Sequence, residues 1–434
     1  MNPLLRWTTT LLCVLSLSLA VPVSQSKSTT NDDAFARGRI THSERIALPD
    51  GLAHYRYYVR VGPGQFDVIR LHRIVRERMP YWPVQTVDGI FLLPGSPNYF
   101  EAIFMAPTIS SAAPPDHSIV LFLAKNNVDV WGMDYAWSFI PAETTDFTFM
   151  KDWGLTKDSR HAEMGLSLAR LIRAMTHQGV GPLELLGFSY GGIIGYNIIG
   201  EETQKPRPLR NIKGFIPLDI GIKFSDEAIL EFECSAADID QGNLDAGIYS
   251  DDTGLLTKQL SDLALTVPND PSPILVGLTN YQAILFFGAN TEQLSGQWWH
   301  FFGGLMDENG LPFDLRFTEA RLWEDLAGNI PPHFPMRGNL DVDTLFCGKT
   351  PTPFDDHLGQ ITIPIFFVGS AGGFGETGYE TVPLTSSTDT KKLIVQLLTN
   401  EQRALDFGHA DTVLARDAES LVWKPILGWL TAHR

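Results

Sequence analysis

The chain has 434 residues, 44% hydrophobic and 19% charged, with 33 basic against 50 acidic side chains and a net charge of −17. Wholesale disorder is excluded, and there is length enough for one large domain with an insertion or for two to three small ones. The acidic balance argues against nucleic acid or an anionic membrane as a partner.

Arg6 precedes the apolar stretch TTTLLCVLSLSLA, and Ser18 and Ala20 stand at −3 and −1 of a cleavage point after Ala20. This predicts a signal peptide over residues 1–20, hence a secreted or periplasmic protein. The apolar run is shorter than the ~20 residues a bilayer span needs, so no stable membrane insertion is expected. Cleavage removes Arg6 and no acid, leaving 32 basic and 50 acidic side chains, or −18. Residues 21–40 read as a flexible polar leader. Two cysteines remain, Cys234 and Cys347. An even count in an exported chain predicts a disulfide. Two isolated thiols make a poor metal site, and neither C-x-x-C nor H-E-x-x-H occurs; no metal or cofactor is expected.

Residues 41–223 read as the first part of an α/β core. HYRYYVRVG (54–62) and DVIRLHRIVRE (67–77) alternate as strands do, and GIFLLPG (89–95) is a continuous apolar run of the buried parallel kind. A helix at 118–127 and a strand at 128–136 follow. The segment 159–177 reads as an amphipathic helix with Met164, Leu168, Leu171, Ile172 and Met175 on its apolar face and Asp158 or Ser159 as N-cap. Next come a strand (183–188), a helix (191–202) and a strand (212–219). This alternation predicts a mostly parallel sheet with right-handed crossovers and helices on both faces.

The rhythm breaks at 224–358, a mainly helical, aromatic stretch that reads as a cap insertion. Residues 359–434 resume the core with strands at 361–369 and 391–398 and a helix at 418–430.

Between the strand at 183–188 and the next helix lies Gly187-Phe188-Ser189-Tyr190-Gly191, a G-x-S-x-G pattern. Strand, serine turn and helix are the context of a nucleophile elbow, which exposes the serine hydroxyl above a sheet. A serine needs a base, and His409 in DFGHADTVL (406–414) follows the last strand and precedes the last helix. Two backbone N–H groups are needed for an oxyanion. Tyr190, just after the serine, and Ser96, in LLPGSPNYF (92–100), are the candidates.

Together PGSP, VDVWGMDYA, GFSYGG and FGHAD resemble the α/β-hydrolase superfamily, over about residues 54–222 and 360–434. The resemblance implies a serine hydrolase acting on an ester, lactone or thioester through Ser189, His409 and an acid. Two departures stand out. Pro94 replaces the usual histidine before Gly95, and the loop that commonly carries the acid, SAGGFGETGYE, holds only Glu376 and Glu380. Asp219 ends the strand after the nucleophile's own unit, on the edge where carboxyl ends of parallel strands collect. Asp219 is therefore taken as the acid, with Glu376 as the alternative. The aromatic insertion suits a small apolar or aromatic ester, although Trp298, Trp299, Phe301 and Phe302 serve equally well as its own core. Two other functions fit the same residues: a non-catalytic binding protein on this fold, and a cofactor-free perhydrolase or haloperoxidase-type enzyme. Oligomeric state is not legible.

Overall fold

The computed structural model describes residues 38–290 and 299–433. The segment read as a signal peptide, most of the stretch read as a leader, and Trp298 lie outside them.

Among the described residues the central sheet has ten strands, one of them the short Trp82–Pro83; the other nine are β1 (Arg39–Ala47), β2 (Leu52–Arg60), β3 (Val68–Met79), β4 (Asp88–Leu93), β5 (Val128–Asp134), β6 (Leu183–Phe188), β7 (Ile212–Leu218), β8 (Ile365–Ser370) and β9 (Thr390–Val395). Their order is β1-β2-β3-β5-β4-β6-β7-β8-β9, and the short pair Trp82–Pro83 extends the edge of β3. β1, β2 and β3 are antiparallel, as is β3 to β5; from β5 to β9 every pairing is parallel. Strand order reverses between β4 and β6, so a cleft opens there beyond the carboxyl ends of the strands.

The unbroken apolar runs feed two cores at once, because successive strand side chains point to opposite faces. Ile90, Leu92, Leu186, Phe188, Phe366 and Val368 pack with helix α1 (Ile119–Lys125) and the C-terminal helix Lys424–Ala432. Phe91, Leu93, Leu185, Phe215, Ile365 and Phe367 pack on the other face with α2 (Leu155–Met175) and α3 (Tyr190–Thr203). Ser118 caps α1, its hydroxyl accepting from Leu121 N at 3.1 Å.

Between β7 and β8 the chain runs through α4 (Glu227–Asp245), α5 (Thr253–Thr266), α6 (Asn280–Ala289), α7 (Ala320–Gly328) and α8 (Met336–Cys347). Two small ribbons also lie there, Gly304–Met306 with Pro312–Leu315 and Ser250–Asp251 with Phe334–Pro335. Cys234 on α4 and Cys347 on α8 form a disulfide.

Three expectations need correction. β1 starts at Arg39, inside the stretch assigned to the leader. It is an edge strand with no buried residue on either face, so its sequence carries no buried–exposed alternation. α2 begins at Leu155 and Gly154 is its N-cap, so Asp158 and Ser159 lie within the helix. The apolar face assigned to α2 holds only in part: Met164, Leu168 and Ile172 are half-buried against the core, but Leu171 and Met175 are exposed, and the buried residues are Ala162, Gly165, Leu166 and Ala169. Small residues win that face because the helix packs so closely; a Cβ on Gly165 would lie 3.0 Å from Leu71 and 3.2 Å from Phe91.

Candidate active site

Ser189 sits between the end of β6 and the first residue of α3, with φ 53° and ψ −126°. This left-handed backbone strains a residue that has a Cβ, and such strain collects at functional sites. The neighbouring glycines permit it by close approach. A Cβ on Gly191 would lie 2.3 Å from the Leu93 carbonyl oxygen, and one on Gly95 2.8 Å from the Ser189 Cβ. The second distance brings the 94–97 loop directly against the serine.

His409 lies in the loop after β9, buried. Phe188 stacks on its ring with centroids 4.6 Å apart, and Trp299 and Phe374 pack at 5.2 and 5.7 Å. Its loop is pinned by backbone hydrogen bonds, His409 N to His300 O (2.9 Å) and Ala410 N to Phe301 O (2.8 Å). Asp411 finishes the clamp by accepting from Gly303 N and Gly408 N, both at 2.8 Å, and from Thr318 Oγ1 at 2.6 Å. Burial pushes the Asp411 carboxyl up to about 6, against the pull of those donors. Asp411 was in view in the FGHAD stretch, but its partners Gly303 and Thr318 lie about a hundred residues away.

Nδ1 of His409 is 2.7 Å from Asp219 Oδ2. Asp219 follows β7 with φ 51° and is fully buried. Four donors besides the histidine converge on it: Ser370 N (2.8 Å), Ser370 Oγ (3.0 Å), Phe374 N (3.2 Å) and Gly375 N (3.1 Å). Glu376 is elsewhere, largely exposed and 2.9 Å from Lys392 Nζ. The bond to Asp219 Oδ2 fixes the tautomer: Nδ1 carries the proton and Nε2 is left as acceptor. Nε2 is buried and has no hydrogen-bond partner among the described residues.

Ser96, Ser189 and His409 line one cavity of about 80 Å³. Its other walls are mostly apolar, with Ile103, Phe287, Phe301, Phe302, Trp323 and Leu326 prominent. Phe301 and Phe302 thus serve both cavity and packing, whereas Trp299 stands behind His409. Among the described residues that line it there is no carboxylate, lysine or arginine side chain.

One set of described residues has the composition of a metal site: His54, His72 and Glu101. Its geometry is that of a hydrogen-bond network. His54 Nε2 and His72 Nδ1 are 2.9 Å apart, His72 Nε2 meets Asp134 Oδ2 at 3.0 Å, and Arg56 grips both oxygens of Glu101 at 2.6 Å. Burial, with His72 and the nearby arginines, pushes His54 down to about 2, so it is neutral. Asp134 Oδ1 also accepts from Phe100 N at 2.6 Å, which anchors the far end of the 94–100 loop.

No family model and no curated protein matches the chain. Among solved structures it is similar to a candidate lipase from Sulfolobus solfataricus, with a TM-score of 0.60 and 20% identity over 91% of this chain and 100% of that one. The chain has the α/β-hydrolase fold. A soluble variant of the monoglyceride lipase of Saccharomyces cerevisiae is more distant, at TM-score 0.44 and 12% identity over 92% of this chain and 97% of that one. At 20% identity the likeness to the first of these speaks for the fold and not for a reaction.

Proposed function

We propose that the protein is a serine hydrolase that cleaves an ester-type bond of a small apolar or aromatic substrate, carboxylester, lactone or thioester. The observation that carries this reading is the Asp219–His409 hydrogen bond beside a cavity shared with a strained Ser189. Ser189 Oγ attacks the carbonyl carbon, and His409 Nε2 takes its proton. Asp219 holds the Nδ1–H and balances the imidazolium. The N–H groups of Tyr190 and Ser96 stabilise the developing oxyanion. Collapse expels the alcohol or thiol, which takes the proton back from His409 and leaves an acyl-Ser189. Water, deprotonated by His409, then releases the acid and restores the serine. The apolar lining supports a neutral substrate, since burying an unpaired charge there would be costly. Export is part of the same proposal, supported by the N-terminal apolar segment and by the disulfide.

The test is Ser189→Ala, assayed on p-nitrophenyl esters of graded acyl length and with a fluorophosphonate probe. The expected outcome is a folded protein that loses at least ~10³-fold in turnover and all labelling. A folded variant that retains a tenth of wild-type activity rules the mechanism out. A wild type that neither turns over esters nor labels favours a binding protein instead.

A further inference from the structure

Tyr190 is not among the cavity's lining residues; its side chain is buried behind the elbow. It packs edge to face against Tyr135 and Phe334, with ring centroids at 5.7 and 5.3 Å. Its hydroxyl donates to Asp158 Oδ2 at 2.8 Å, and Trp137 Nε1 donates to the same oxygen at 3.0 Å. The Tyr135 hydroxyl, in turn, donates to the carbonyl oxygen of Pro94 at 3.3 Å. One buried cluster therefore grips the backbone on both sides of the cleft: the residue after Ser189, and the loop that carries Ser96.

An acid in this place is expensive. Asp158 is only 3% exposed, and burial pushes its carboxyl up to about 6 although Tyr190 and Trp137 pull the other way. An apolar residue would fill the space without that cost. What the acid adds is direction: it fixes the Tyr190 ring, and through it the start of α3. The inserted segment braces the same cluster. Phe334 packs edge to face on Trp137 as well, at 5.1 Å, and Asp341 Oδ2 accepts from Leu155 N at 3.0 Å, where the helix carrying Asp158 begins.

We propose that Asp158, Trp137 and Tyr135 are positioning residues for the oxyanion site, holding the Tyr190 and Ser96 N–H groups in register with Ser189 before substrate binds. Donors fixed in advance spend nothing on reorganisation as charge develops, and displacements near 1 Å cost about 10²-fold in rate. The proposal rests on the serine-hydrolase reading above.

The experiment uses Tyr135→Phe, Trp137→Phe and Asp158→Asn in the full-length protein, each checked for folding by circular dichroism. Steady-state ester kinetics are compared with the affinity for a trifluoromethyl ketone of matching acyl chain, which forms a tetrahedral oxyanion on the serine. In Tyr135→Phe and Asp158→Asn, kcat falls about tenfold or more, KM stays within about twofold, and ketone affinity falls by the factor lost in kcat. The double variant loses less than the product of the singles, because the two residues act on one site. Folded variants with kcat and ketone affinity within about twofold of wild type overturn the proposal, as does a loss confined to KM. If Asp158→Asn does not fold, Tyr135→Phe, which removes a single hydroxyl, decides by the same criteria. A wild type that ignores the ketone sinks the serine-hydrolase reading itself, whereas a reactive wild type matched by its variants sinks only the positioning role.

Discussion

Asp219 is fully buried and Asp343 half-buried, and their surroundings are opposite. Asp219 stands at the carboxyl edge of the sheet, where five donors converge on its two oxygens, four of them from the 370–375 turn and one from His409. Asp343 stands between α4 and α8, where its neighbours are Glu233 and Asp240. Burial first and those like charges second push it up; burial first and the Asp251 charge second raise Asp240 to about 6, against its hydrogen bonds with Asp343 and Asn243, and burial takes Glu233 to about 7. A carboxyl surrounded by donors is a fixed acceptor suited to orienting a base. Carboxyls surrounded by one another hold protons, and their environment favours the neutral form. The first arrangement belongs to the sheet edge, where rigid strands set positions. The second belongs to two helices that a disulfide already ties together.

The contrast breaks most sharply at Asp219. Asp219→Asn is expected to keep the fold and lower kcat by about 10⁴-fold, because the amide no longer selects the productive histidine tautomer. Ester turnover with circular dichroism as control measures it, and a variant within tenfold of wild type removes Asp219 from the mechanism.

On the helix pair, the largest effect comes from the Cys234–Cys347 bond. It closes 113 positions of chain, so reduction should destabilise the protein by about 4–5 kcal/mol in the loop-entropy account. Thermal unfolding with and without reductant tests this, alongside alkylation under denaturing conditions. Two thiols alkylated without reductant would show that no bridge exists.

The acid cluster gives a smaller, pH-dependent effect whose sign follows from the direction of the shifts. A carboxyl raised on folding contributes stability while protonated. That contribution is complete below the unfolded value near 4 and drains away as pH rises through the folded value, about 7 for Glu233. Between pH 5 and 8 the unfolding temperature should therefore fall, by about 1–3 °C from this cluster. Asp158, Asp411 and Glu184 are raised too and act in the same sense. Asp343→Asn isolates the cluster: its unfolding temperature should depend less on pH than the wild type's, and an unchanged slope refutes the assignment.

Least of all is expected from Glu376→Gln. Glu376 is exposed and pairs with Lys392 on the surface, so stability should change by less than about 1 kcal/mol and turnover by less than about twofold. A hundredfold loss here would reverse the contrast with Asp219.

Local sequence was enough for the parts whose physics is local. The apolar runs of β4, β6 and β8 mark strands buried on both faces, and the glycines around Ser189 mark a turn that only close backbone approach explains. The PGSP and FGHAD loops were legible through their order around those strands. Tertiary structure alone decided the rest. Which carboxylate meets His409 depends on donors from residues 370–375, more than 150 positions beyond Asp219, and no local pattern encodes that convergence. The face α2 buries was read only in part, with Leu171 and Met175 placed inward wrongly, because hydrophobicity is a poor guide where a close helix–sheet contact requires alanine and glycine. Asp158 looked like a helix cap from its neighbours in sequence; its buried bonds to Trp137 and Tyr190 exist because β5, β6 and α2 bring three separate segments together. Side-chain periodicity reports the exposure of one element, whereas hydrogen-bond partners are set by the packing of several.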